Sequence, residues 1–206
     1  MNAVSLKQAF AFISDVMTEN KDYLIELDQQ NGDGDLGISM SSGYKAVADY
    51  LAAADEKDLG KLLLKSSTIF NEAAPSSLGT ITSFGLMGMA KSLKGKEEAT
   101  LSEVADALNA GVEKIMDKAK SKPGEKTILD ALFPAVKALQ ANSAKDAKTA
   151  FKAAYDAAEE GSESTKVMKS VHGRAAYYGE KSIGLIDGGS VVGKLIFEGL
   201  YHSICR

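Results

Sequence analysis

Apolar residues return every three or four positions along almost the whole chain, a period that suits helices and little else. Leu6, Ala9, Phe10, Ile13 and Met17, continued by Leu24 and Leu27, form one stripe along a long first helix with a kink near Asn20. The same spacing predicts seven more helices, near 38–53, 58–72, 77–93, 101–120, 127–141, 144–160 and 190–204. Alternating runs of β-branched and aromatic residues are missing and alanine is abundant, so the expected fold class is all-α. At 206 residues, with 45% hydrophobic and 25% charged side chains, one core and one domain over 1–206 is the default.

The first connection is unusual. Between Leu27 and Gly37 the chain places Asp28, Asp33 and Asp35 among three glycines, Gly32, Gly34 and Gly37. Three anions this close repel, and each glycine loses more backbone entropy on ordering than alanine would. Such a loop makes sense chiefly when a cation holds it, and hard oxygen ligands point to Mg2+ or Ca2+. Mg2+ held by a few carboxylates fills its remaining positions with water and phosphate oxygens, which makes a nucleotide the expected third party. The spacing does not fit an EF-hand, and no GxxxxGK[ST] loop occurs. The competing reading is a solvated turn in which Asp33 or Asp35 caps the next helix.

Three other connections share this character. Residues 161–189 are rich in glycine and serine and carry Arg174, Tyr177, Tyr178, Lys181 and Asp187, while the helical period fades after Met168. A structureless stretch of about twenty residues inside a compact domain is uncommon and usually functional. Pro75-Ser76-Ser77-Leu78-Gly79-Thr80 opens a helix whose unpaired N–H groups suit a phosphate, unless Ser76 serves only as its N-cap. Lys120-Ser121-Lys122-Pro123-Gly124-Glu125-Lys126-Thr127 contains a Pro-Gly turn that, taken alone, is structural. In an antiparallel up-and-down array the first, third, fifth and seventh connections lie at the same end, so these four loops are expected to be neighbours.

Other function classes fit poorly. The net charge of −4 is mild and no basic face is interleaved with aromatics, so no nucleic acid is expected. No apolar run approaches the roughly 18 to 20 residues of a membrane span, and the N-terminus lacks a signal-peptide pattern. The single cysteine, Cys205, has no partner in the chain, and a reducing cytoplasm is the expected location.

Two segments together resemble a known family. Asp28 with Gly32-Asp33-Gly34-Asp35-x-Gly37, and Gly173-Arg174-Ala175-Ala176-Tyr177-x-Gly179-Glu180-Lys181-Ser182-Ile183-Gly184 followed by Asp187-x-Gly189, are similar to the nucleotide-binding L subunit of bacterial dihydroxyacetone kinases. Pro123-Gly124-Glu125-Lys126-Thr127 with Asp130 agrees with that pattern, and the resemblance runs essentially the whole length. It implies a barrel of eight antiparallel helices with ADP or ATP at one end, held through two Mg2+ ions by Asp28, Asp33 and Asp35. By motif position, Gly37, Ser39, Ser77, Leu78 and Gly79 would lie against the nucleotide phosphates, and Leu36 and Ile38 would also belong to the nucleotide site. Ala119 and Ile128 would lie in the nucleotide pocket, with Ile128 near the base, and Arg174 with Asp187, Gly188 and Gly189 would complete it.

The resemblance also implies a division of labour. A K-type partner subunit holds dihydroxyacetone or a related short ketose covalently, and the L subunit brings the phosphoryl donor. ATP supplies that phosphate, or else a phosphotransferase-system protein rephosphorylates bound ADP. Arg174, with its fixed donor fork, is the expected catalytic residue, although a surface ion pair is its plainer reading. A homodimer or hetero-oligomer is expected. Three departures stand out: Leu36 replaces a usual histidine, Pro75-Ser76-Ser77-Leu78-Gly79 replaces a Gly-Gly-Ala-Ser-Gly loop, and Gly188 stands in place of proline. They leave the three aspartates intact and make a four-carbon sugar plausible. The rival from another class is a non-catalytic regulator that keeps the fold and binds nucleotide or a transcription factor.

Overall fold

Most helices start where a short polar side chain meets their first free N–H groups. Asn2 caps α1 (Ala3–Glu19) and forms a reciprocal box with Ser5. Asp58 caps α4 (Leu59–Ala73), Ser76 caps α5 (Ser77–Ser92), and Thr100 with Glu103 boxes the start of α6 (Leu101–Ala119). Asp146 and Asp187 cap α8 (Ala147–Ser164) and α9 (Gly188–Ile204). The remaining helices are α2 (Lys21–Gln29), α3 (Leu36–Ala53) and α7 (Leu129–Ala141). The computed structural model describes residues 1–205. Among these there is no strand, only an isolated antiparallel bridge between Asn2 and Glu98.

The kink expected near Asn20 is a break between α1 and α2. Asn20 leaves helical geometry (ψ 9°), and its side-chain amide donates to the Val16 carbonyl at 2.9 Å. Counting that pair as one bent helix gives the eight expected from the apolar period. Each of α3 to α9 packs on its sequence neighbours, and α9 returns to α1, so the contacts close into a ring. Phe70 and Phe197 are fully buried, and Tyr44 meets Phe70 edge-on at 4.9 Å between ring centres. Inside the ring, Phe10, Tyr44, Leu86, Val112 and Phe197 help enclose an apolar cavity of about 90 Å3. No described helix is long and apolar enough to cross a membrane.

Five helix ends lie two to four residues from the sequence expectation, namely the starts of α3, α7, α8 and α9 and the end of α8, and two of them bear on the site. Helix α3 begins at Leu36 rather than near 38, directly after the aspartate loop. Helix α8 runs past Gly161 to Ser164, where a loop was expected to begin. Gly161 is there for packing: a Cβ on it would stand 2.1 Å from the Asp130 carbonyl oxygen of α7. The segment beyond is not shapeless either, because it forms 3-10 turns at Thr165–Val167 and Arg174–Ser182.

Candidate functional site

The aspartate loop is organised by the end of α2. The Asp28 carboxylate accepts the N–H groups of Gly34 at 2.8 Å and Asp35 at 3.0 Å through one oxygen, Oδ2. That leaves Oδ1 available and folds the loop back over the helix end. One carboxylate oxygen each from Asp28, Asp33 and Asp35 then lies within 4.8 Å of the others. Asp35 stands at the N-cap position of α3 but makes no capping hydrogen bond, and Asp33 makes an ion pair with Arg174. Desolvation, then repulsion from Asp33 and Asp28, raises the Asp35 pKa above the usual carboxylate value, while Arg174 pulls it down. A solvated capping turn has no need of this arrangement; a divalent cation with carboxylate oxygen ligands fits it.

The cluster faces a cleft of about 970 Å3. All four unusual loops line it: Asp28 to Leu36, Pro75 to Leu78, Ser121 with Lys126 to Ile128, and His172 to Ala175 with Asp187 to Gly189. The expectation that alternate connections share one end therefore holds. Alternation has a second consequence, because α3, α5, α7 and α9 all start at this cleft. Their N-terminal N–H groups and positive dipole ends favour an anion. In α5 the Ser76 hydroxyl accepts only the Gly79 N–H, at 3.1 Å, so Ser76 is the cap and the amides of Ser77 and Leu78 have no partner in their own helix.

Of the residues expected at the nucleotide, Leu36, Ser77, Leu78, Ala119, Ile128, Arg174, Asp187, Gly188 and Gly189 line the cleft, as do Asp28, Asp33 and Asp35. Gly37, Ile38, Ser39 and Gly79 do not. Gly37 faces α2, where a Cβ would sit 2.1 Å from the Lys21 carbonyl oxygen, so close helix packing explains that glycine. Ser39 is buried in α3, Ile38 points outward at 51% exposure, and the Gly79 amide is already spent on Ser76. One turn of helix rotates these four away from the cleft wall.

Besides lining the cleft, Asp187 has a structural part. Its Oδ2 accepts the Ser190 N–H at 2.7 Å and starts α9, while its own N–H donates to the Thr165 hydroxyl at 3.0 Å. Although the residue keeps some surface, its carboxyl is desolvated, and this pushes its pKa up to about 7 against the opposing pull of the Ser190 amide. Asp130 plays a similar structural part: its carboxylate takes the N–H groups of Gly124 at 2.5 Å and Thr127 at 2.7 Å and shapes the Pro-Gly turn. Two cleft residues were not anticipated. His172 Nε2 lies 2.6 Å from Glu125 Oε2, and Lys126 is almost completely buried. A charged pair of loops was visible in the sequence, but nothing there said they would clasp each other.

The DAK2 domain matches residues 30–202. The ADP-binding subunit DhaL of the PEP-dependent dihydroxyacetone kinase of Escherichia coli is 30% identical over 178 residues, covering 85% of both chains. The corresponding subunit of kinase 2 from Listeria innocua is 32% identical, covering 85% of this chain and 82% of that one. Among solved structures, the dihydroxyacetone kinase of C. freundii in complex with AMP-PNP and Mg2+ superposes with a TM-score of 0.78 at 23% identity, over 98% of this chain. This chain spans 34% of that longer protein.

Proposed function

This chain belongs to the DAK2 domain family, and from that premise we propose that it is the nucleotide-carrying subunit of a dihydroxyacetone kinase. One observation carries the reading: a triad of carboxylates within 4.8 Å, placed at the start of α3, shares a single cleft with the N-termini of α5, α7 and α9. Carboxylates suit Mg2+ and helix N-termini suit phosphate, so the cleft is built for a magnesium nucleotide rather than for either alone. Similarity to ADP-binding subunits supports the same ligand.

Asp28, Asp33 and Asp35 would hold Mg2+, two ions by resemblance to the family, for the phosphates of ADP or ATP. Bound there, the ions neutralise charge that builds on the transferring phosphoryl group. The chain supplies the rest. Asp28 Oδ2 keeps the loop folded while its other oxygen stays free, and the amides of Ser77, Leu78, Gly188 and Gly189 receive phosphate oxygens. Arg174 is well exposed in its pair with Asp33, and an exposed pair is worth about 0–1 kcal/mol, so its guanidinium is readily given up to a phosphate. The terminal phosphoryl group leaves its nucleoside diphosphate for a hydroxyl oxygen of a short ketose held on a K-type subunit. Either ATP exchanges each cycle or a phosphotransferase-system protein recharges bound ADP.

Calorimetric titration of ADP into the nucleotide-free chain, with Mg2+ and then with EDTA, tests the reading. Binding with Mg2+ alone, followed by phosphoryl transfer to dihydroxyacetone in the presence of the K-type subunit, is the expected result. Mg2+-dependent binding without transfer would favour the non-catalytic regulator, and no binding at all would overturn the nucleotide site.

A further inference from the structure

The kinase reading leaves Lys126 without a task, yet the chain goes to some cost to place it. Its backbone is left-handed (φ 60°), which costs an L residue about 1–2 kcal/mol, and only 3% of its surface is exposed. A lysine beside a turn normally keeps its ammonium in water, and burial is unfavourable unless every proton is donated. Here all three are. Lys126 Nζ donates to the carbonyl oxygens of Ser182 at 2.6 Å, Leu185 at 2.6 Å and Met168 at 3.2 Å.

Those acceptors have a shared address. Met168 opens the stretch 168–185, and Ser182 with Leu185 closes it, so one ammonium draws its two ends together at the neck. The other ties across the stretch are sparse: Ser170 N–H to Ser182 Oγ at 3.0 Å, Gly184 N–H to Lys166 O at 2.7 Å, and an exposed Lys169–Glu180 pair. The adjacent residue, Glu125, meets His172 farther along the same stretch. The Pro123-Gly124 turn thus grips the loop at its neck and again beside Gly173. Arg174 rides on the loop so gripped, paired with Asp33.

We propose that Lys126 is a positioning residue for phosphoryl transfer: its ammonium closes the 168–185 loop at the neck and so holds Arg174 against the Asp28, Asp33 and Asp35 cluster. The kinetic part of this proposal rests on the kinase reading, and the loop-closing part does not. A methionine of similar length would set a methyl group before three carbonyls, and the planar fork of arginine cannot aim three donors at one point.

The test uses Lys126→Met and Arg174→Ala, singly and together, in the full chain. Amide hydrogen exchange without any ligand is expected to show at least about tenfold lost protection within 168–185 in Lys126→Met, with α1 and α5 unchanged. ADP affinity in Mg2+ should change by less than about threefold. Single-turnover transfer from the ATP-loaded chain to the K-type subunit carrying dihydroxyacetone should slow by about tenfold or more, and the double variant should be no slower than Arg174→Ala alone. Lys126→Gln, which keeps two donors, replaces the methionine variant if that one loses its helical signal. Unchanged loop exchange, or losses that multiply in the double variant, overturn the proposal. A parent that transfers nothing overturns the kinase reading instead, and loop exchange still decides what Lys126 does.

Discussion

Asp28 carries two duties on one side chain, and substitutions can separate them. Oδ2 collects the Gly34 and Asp35 amides, whereas Oδ1 is the oxygen left to meet a cation. Asn at position 28 keeps an acceptor for the two amides but turns a donor toward the metal. Asp28→Asn should therefore keep a protected loop and lose Mg2+-dependent ADP binding by about 100-fold or more. Asp33→Ala should lose the same binding with helical content unchanged, because Asp33 accepts no loop amide and its removal relieves repulsion on Asp35. Calorimetry with circular dichroism on both variants checks the pair. Retention of parental affinity by Asp33→Ala would end the metal assignment. The triad was legible in the sequence because clustered carboxylates and glycines are costly without a ligand. Lys126 was not, since no local pattern separates a buried lysine from the many exposed ones, and its three acceptors lie far along the chain.

At the scale of elements, helix interiors follow the apolar period and helix ends follow capping chemistry. The first was readable and the second only partly so. Helix α8 could not be followed past Gly161 because glycine signals a break, while the reason for this one is the approach of the Asp130 carbonyl on another helix. Asp58 shows what a cap does beyond its own helix. It accepts the Lys61 N–H at 3.1 Å and also the Gly95 N–H at 3.1 Å, tying the start of α4 to the turn after α5. Asp58→Ala should cost about 1–2 kcal/mol in urea unfolding, with most of that recovered by Asp58→Asn. Asp187 adds a pH dependence. Its folded pKa of about 7 exceeds the ordinary 3.8, so its contribution to stability is full below pH 4 and fades as pH rises through 7. Asp187→Asn keeps the cap on Ser190 without the charge. It should match the parent at pH 4 and unfold later than the parent at pH 8, as thermal melts at the two values would show.

For the whole molecule, the closed ring puts its ligand chemistry at one end and its apolar interior in the middle. The four cleft loops join eight of the helices, α2 to α9, so a ligand that bridges them links much of the ring at once. Without a cation, the same loops bring Asp28, Asp33 and Asp35 together, relieved mainly by one exposed arginine. Stability should therefore respond strongly to the magnesium nucleotide and weakly to either component. A ligand that binds only the folded chain at 100 times its Kd adds about 2.7 kcal/mol, which for a chain of this size raises Tm by roughly 5–10 °C. ADP with Mg2+ should give that rise in a thermal melt. ADP with EDTA should give almost none, because the phosphates then face three carboxylates that repel them. Mg2+ alone should give a small rise, since the carboxylates gain a partner but the helix N-termini across the cleft do not. An equal rise for ADP in EDTA would mean that the helix N-termini bind the nucleotide without the aspartates, and the two halves of the cleft would then have to be assigned to different ligands.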